Sequence, residues 1–300
     1  MKEKPLISLL LPTRERLERA TCFLQSIIDT ASELSTIEVI IAIDDDDIIS
    51  TEIQSPHPDL KIIKTIAPRT TMGGLNTRCL QHASGSIIML VNDDIQIRSK
   101  GWDQILIRAD QTFADKIYLM HTKDGFKDEA FPIFPIISKK CAEVLKDPYP
   151  NPYCGDGNDT HLHDIFLRLK DKGEDRFIYL DAVFFEHLHH ALGKSDLDKT
   201  YANRSNTAGS RTFYSLWKHR ENATQKLLQS IQGKAVLQTE SSTSLASPFS
   251  ALLACFLSPK QSLKYRLHYL CYHSLRELYF ILRLNHLKAK LKSSPYACRE

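Results

Sequence analysis

Unbroken apolar runs alternate with helix-period segments along the first part of the chain. Leu6–Leu11 (LISLLL), ended by Pro12, and Ile37–Ile43 (IEVIIAI) read as strands buried on both faces. Between them Leu17, Ala20, Phe23, Leu24, Ile27 and Ile28 recur at helical spacing. Leu60–Ile66 predicts a third strand, Gly73-Gly74 opens a helix to about His82, and Ser86–Val91 (SIIMLV) predicts a fourth strand. Strand–helix alternation at this spacing predicts an α/β fold, a mostly parallel sheet flanked by helices.

The pattern then changes. Trp102–Phe113 reads as a helix, Lys116–His121 as a strand, Phe131–Ile137 as a Pro-broken apolar segment and Lys139–Leu145 as a short helix. Asn158-Asp159-Thr160 caps a helix to about Lys170, and Phe177–Phe185 predicts a further strand. Ser205–Ile231 is mostly helical, and Ser262–Lys292 is a long helical pattern rich in Leu, Tyr, Lys and Arg. The stretch 238–248 (QTESSTSLASP) reads as a linker. The expected division is therefore an α/β domain over 1–237, a linker over 238–248 and a basic helical extension over 249–300.

Composition narrows the class. With 42% hydrophobic and 25% charged residues, the 300-residue chain is globular, which excludes wholesale disorder and collagen. The net charge of +3 hides an uneven split: residues 246–300 hold nine Lys/Arg and two Glu, a net of +7, and the first 245 residues a net of −4. The seven cysteines are scattered without a C-x-x-C pair, which argues against a disulfide framework or zinc ribbon. Met1-Lys-Glu-Lys-Pro leads into a strand with no signal-peptide core, and Ala251–Leu257 is too short to span a bilayer. A cytoplasmic location is expected, at the inner face of the membrane if the extension binds lipid.

Two readings of that extension stand open. Leu263, Leu267, Leu270, Leu278, Ile281 and Leu282 are interleaved with Lys264, Arg266, Arg276, Arg283, Lys288 and Lys290. With Tyr265, Tyr269, Tyr272 and Tyr279, this basic amphipathic pattern suits peripheral contact with an anionic membrane through 260–292. It also suits a helix pair packed on the α/β domain or on a second subunit, which is the reading slightly favoured. No recognised module accompanies the charge, so nucleic-acid binding is not expected.

Candidate chemistry sits at strand ends. In an open α/β sheet the ligand crevice lies outside the carboxyl ends of the strands. Asp44–Asp47 follows the second strand and Asn92-Asp93-Asp94 the fourth. Four adjacent carboxylates face water or a cation, and both alternatives remain for Asp44–Asp47. Glu186-His187-Leu188-His189-His190 follows another apolar strand. Carboxylate plus imidazole suits Mn²⁺ or Mg²⁺ shared with phosphates better than a closed zinc site.

The order PTRER (Pro12–Arg16), IDDDD (Ile43–Asp47), Gly74-Leu75-Asn76, LVNDD (Leu90–Asp94) and FEHLHH resembles the family-2 nucleotide-sugar glycosyltransferases of GT-A fold over about residues 5–220. The run Gly193–Tyr201 further resembles a subset of bacterial and phage-associated members. The resemblance implies a GT-A-like sheet and an inverting, metal-dependent transfer from a nucleoside-diphosphate sugar, UDP-sugar by default, to a hydroxyl of a saccharide or glycolipid acceptor. It places Pro12, Thr13, Arg14, Asp44, Asp45, Asn76 and Asp93 at the nucleotide. Asp94 and His187 become metal ligands, with His189 the second choice of histidine, and Mn²⁺ or Mg²⁺ the cofactor. Trp102 and Phe131–Ser138 match positions near sugar and acceptor, and Trp102 also reads as ordinary core.

The family's base lies in an E-D-x-D-L pattern. This chain has Asn158-Asp159-Thr160-His161-Leu162, which matches at Asp159 but has Asn for Glu and His for the second Asp. Asp159 and Asp156 are both candidate bases. Asn92 likewise departs from a strict D-x-D. Two alternatives compete: a nucleotidyltransferase, against which no glycine-rich phosphate loop follows the first strand, and a non-catalytic sugar-nucleotide or glycan-binding protein.

Overall fold

The computed structural model describes residues 6–189, 192–194, 208–236 and 248–282. Its first half builds the parallel side of a sheet: β1 (Ile7–Pro12), β2 (Ile37–Asp44), β3 (Lys61–Ala67) and β4 (Ile87–Leu90), connected through α1 (Leu17–Thr30), the short α2 (Ile48–Thr51) and α3 (Met72–His82). The two long apolar runs are β1 and β2, and every residue of both is buried. Alternation divides their side chains between two layers. Leu9, Leu11, Val39 and Ile41 face the cluster containing Phe23 and Ile27 of α1, whereas Leu10, Ile40 and Ala42 face the cluster containing Leu75 and Cys79 of α3.

The second half adds β5 (Ile95–Ile97), α4 (Trp102–Gln111), β6 (Leu119–Lys123), β7 (Ile136–Ser138), α5 (Lys139–Leu145), α6 (Asn158–Asp171) and β8 (Phe177–His187). The sheet order is β3-β2-β1-β4-β7-β6-β8-β5. Only β7 and β5 run against the rest: β7 is antiparallel to β4 and β6, and β5 to β8. The sheet is thus mostly parallel, as the alternation predicts. Three-residue β5 was not anticipated, because so short a run carries no periodicity. Trp102 is fully buried, edge-on to Phe185 at 5.1 Å, so it is core.

The helices α7 (Ala208–Ser215), α8 (Trp217–Ile231), α9 (Pro248–Leu257) and α10 (Leu263–Leu282) complete the described chain. They share a third core with Tyr153, into which Ala251, Leu252, Cys255, Tyr265, Tyr269 and Tyr272 are buried. Beneath it Asp164 of α6 accepts from Arg168 Nε at 2.7 Å, Arg220 Nε at 2.6 Å and Tyr265 Oη at 2.6 Å. The helix pair therefore packs on the α/β domain, and Tyr265, Tyr269 and Tyr272 point into the protein rather than outward. The expected linker up to residue 247, Ser195–Tyr201 of the matched run, and the basic stretch beyond Leu282 lie outside the described residues.

Candidate active site

Strand register carries the carboxylates to their partners. β1 and β4 align Leu10 with Leu90. The same offset continues past the strand ends, where Thr13 Oγ1 donates to Asp93 Oδ2 at 2.8 Å. β1 and β2 align Pro12 with Ala42, so Arg14 reaches Asp44 Oδ2 at 3.1 Å. The same guanidinium grips Asp46 through two nitrogens, at 2.5 and 2.9 Å. That charge-assisted fork holds the Asp46 carboxyl below the usual range.

The four consecutive aspartates consequently differ. Asp44 and Asp46 bind Arg14, and Asp45 is exposed. Buried Asp47 caps α2 by accepting from Ser50 N at 3.1 Å and holds Glu15 N at 2.8 Å. The run clamps the β1–α1 loop to the end of β2.

Asp93 and Asp94 divide in the same way. Asp93 is buried with both oxygens engaged, by Thr13 and by Arg16 Nη1 at 2.7 Å. Burial pushes its carboxyl above the ordinary range against the pull of Arg16. Asp94 turns the other way. Antiparallel pairing of β5 with β8 sets Ile95 opposite His187, and Leu188 N donates to Asp94 O at 2.8 Å. This pairing leaves His187 Nε2 3.4 Å from Asp94 Oδ1. His187 is itself buried, and its ring nitrogens have no hydrogen-bond partner among the described residues.

A cleft of about 240 Å³ opens beside this pair, outside the carboxyl ends of β1 and β4. Pro12 and Asn92 form one side, Met72 and Asn76 of α3 another, and His187 and His189 a third. The start of α3 comes close because residue 73 is glycine: a Cβ there would lie 2.0 Å from Pro150 O. His189 stacks on Phe126 at 5.2 Å, and Phe134 meets His187 edge-on at 5.3 Å. Phe131 and Ile133, from the Pro-broken segment, also line the cleft.

The start of α6 also lines the cleft, with Asp156, Asn158 and Asp159. The cap is not Asn158, as the sequence pattern suggests, but Gly157 at φ 107°, so Asn158 and Asp159 fall in the first turn. Only glycine adopts that angle readily, and a Cβ at 157 would lie 2.5 Å from the Tyr153 ring. A helix start favours a carboxylate anion. Here burial is the larger effect and, with Asp156 nearby, pushes the Asp159 carboxyl up to about 6. Asp156 is exposed and lies against the backbone of Gly209 in α7. The amide of buried Asn158 has no hydrogen-bond partner among the described residues, for either its oxygen or its nitrogen. His161 faces inward, bonded to Tyr153 Oη at 2.9 Å and His219 Nδ1 at 3.1 Å, so it stays out of the cleft.

Of the expected site residues, Pro12, Asn76, Asp156, Asp159, His187 and His189 line this one cleft, with Asp94 behind His187. Thr13, Arg14, Asp44, Asp45 and Asp93 lie at the adjoining strand ends. Phe126 and Lys127 were not singled out from the sequence. Asp124 shapes their loop, its Oδ1 accepting from Phe126 N at 2.6 Å and Lys127 N at 2.7 Å. The Asp124-Gly125 dipeptide signals a turn, but nothing local tells that the turn meets His187.

The donor set fits a hard divalent cation. A carboxylate and an imidazole are suitable ligands, and the ring nitrogens of His187 make no hydrogen bond among the described residues, which leaves them able to coordinate. Among the described residues no group of three or more His, Cys, Asp or Glu is assembled. A cation here would draw its remaining ligands from a bound substrate or water.

No family model and no curated protein sequence matches the chain. Among solved structures it is similar to the S. aureus TarS 1–349 complex with UDP-GlcNAc, at 12% identity over 76% of this chain and 73% of that one, TM-score 0.53. It is also similar to the Pyrobaculum calidifontis mannosyltransferase PcManGT in complex with GDP-Man and Mn²⁺, at 12% identity over 98% and 85%, TM-score 0.49. The likeness to TarS shows a GT-A-like fold, with the mostly parallel sheet and helical C-terminal part described above.

Proposed function

We propose that the protein is a metal-dependent, inverting glycosyltransferase that moves a sugar from a nucleoside-diphosphate donor to a hydroxyl of a saccharide or glycolipid acceptor. The observation that carries this reading is that two kinds of group line one cleft. His187, 3.4 Å from Asp94, supplies one kind, and Asp159, with its raised pKa, the other. TarS supports a UDP-sugar as the donor to try first, because its complex holds UDP-GlcNAc.

In this reading Asp94 and His187 hold Mn²⁺ or Mg²⁺, which when bound neutralises charge on the departing diphosphate. Lys127, buried and lining the same cleft, adds a fixed positive charge. Asp159 accepts the proton of the acceptor hydroxyl; with a pKa of about 6 it is mostly ionised at neutral pH and still basic enough to work. A single base and direct attack invert the anomeric carbon. The unpaired amide of Asn158, where the family pattern has Glu, offers a donor and an acceptor to a sugar hydroxyl. The adjoining Arg14–Asp44 clamp and exposed Asp45 serve the nucleotide, with Thr13 and Asp93 fixing the loop beside it.

The test is thermal stability of the full chain with UDP, GDP, CMP, dTDP or ADP, each with and without Mn²⁺. One nucleotide at about a hundredfold its Kd adds about 2.7 kcal/mol, and the shift should appear only with metal and vanish in Asp94→Ala. Metal-dependent binding without donor hydrolysis or transfer would favour the non-catalytic reading. Full transfer by Asp94→Ala would remove the metal site.

A further inference from the structure

We propose that α9 and α10 seat the protein on an anionic lipid bilayer through the side of the helix pair that faces away from the domain. This inference rests on the helix pair alone and stands whether or not the transferase reading holds.

The surface is the opposite of the tyrosine face that the sequence pattern suggests, since Tyr265, Tyr269 and Tyr272 are buried. Both helices spend their inner sides on one cluster, α9 with Ala251, Leu252 and Cys255, α10 with those tyrosines. What remains outward is apolar at helical spacing. Phe249, Leu253 and Leu257 follow one another at four-residue steps with 77%, 45% and 65% of their surface exposed. Leu263 and Leu267 repeat the step on α10, at 57% and 45%. Single exposed leucines are ordinary, but contiguous rows of them mark an interaction surface.

Charge selects the occupant. From Pro248 to Arg276 there is no Asp or Glu, whereas Lys260, Lys264, Arg266 and Arg276 fall within the stretch. Lys264 is exposed beside Leu263 and Leu267. Glu277 lies at the far end of α10 and Lys260 pairs with Glu221 at 3.2 Å, yet the rows from Phe249 to Leu267 carry cations and no acid of their own, which matches an anionic headgroup layer over an acyl boundary. A second copy of the same surface would bring like charges together, which disfavours it. Among the described residues no helix is long and apolar enough to cross a membrane, so the contact lies in the interface plane.

Sedimentation of the full chain with phosphatidylcholine vesicles, with and without phosphatidylglycerol, tests this. The expected result is binding to the anionic vesicles that weakens with added salt and falls about tenfold or more in Phe249→Ser/Leu257→Ser, whose exposed sites leave the melting temperature unchanged. Lys264→Glu, a fully surface change, should weaken binding and flatten its salt dependence. Failure of the wild-type protein to bind anionic vesicles at low salt would overturn the proposal, as would undiminished binding by both variants. A concentration-dependent dimer in light scattering, lost in Phe249→Ser/Leu257→Ser, would overturn it in favour of a second copy.

Discussion

Helix α6 carries Asp159 in its first turn and Asp164 one turn and a half further on, and the protein treats the two carboxylates oppositely. Asp164 is buried with its oxygens filled by Arg168, Arg220 and Tyr265, and the two guanidiniums draw its pKa far down despite the burial. Asp159 lies in a cleft wall with uncharged donors from its own helix start, Thr160 N at 2.7 Å and Thr160 Oγ1 at 3.3 Å, and no guanidinium offsets the burial that raises it. Same residue type and same helix, yet partners decide between a locked anion and a group able to exchange its proton. A carboxylate kept for chemistry must be left incompletely satisfied, and one kept for architecture must not.

Removing the reactive member should have the largest effect. Asp159→Asn is expected to lower transfer about a hundred- to ten-thousand-fold with little change in the urea midpoint. A wild-type rate that rises with pH through about 6 and loses that step in the variant would assign the titration to Asp159. Equal transfer by both proteins would shift the role to Asp156.

Next comes the architectural member. Asp164→Ala strands two buried arginines, and loss of one partner from such a cluster costs about 3–5 kcal/mol. Urea unfolding should show that loss, whereas an unchanged midpoint would mean that Arg168 and Arg220 find water instead.

The smallest effect sharpens the contrast with a third residue of the same helix. His163, buried against Phe131 and Phe177, has its pKa pushed down to about 4 by burial. The unfolded chain binds this proton near 6.5 and the folded one does not, so stability present above 6.5 is lost as pH falls toward 4. His163→Phe should flatten that slope by about 1.4 kcal/mol per pH unit. An unaltered slope would place the acid sensitivity in His121 or His219, whose pKa values burial lowers to about 3 and about 4.

These environments were legible in the sequence to different depths. Ile37–Ile43 and the Leu17–Ile28 periodicity show β2 and α1 directly, because burial on both faces or on one stripe leaves a local pattern. Asp94, His187 and Asp159 are recognisable as strand-end or helix-start groups. Which of Asp93 and Asp94 faces inward is not, since that follows from pairing of β5 with β8, over ninety residues along the chain. The Asp164 cluster was missed for the same reason. Only Asp164–Arg168 has helical spacing, and Arg220 and Tyr265 arrive from 56 and 101 residues away.

That last distance bears on how the molecule is assembled. The Tyr265 hydroxyl closes a loop of about a hundred residues onto Asp164, and the entropy of closing loops makes such distant contacts late ones. Cys255, Tyr265 and Tyr269 of the helix pair cover the arginines of the α6–α8 layer. The helix that bears the proposed base thus has its far end sealed by a segment from which no described residue lines the cleft.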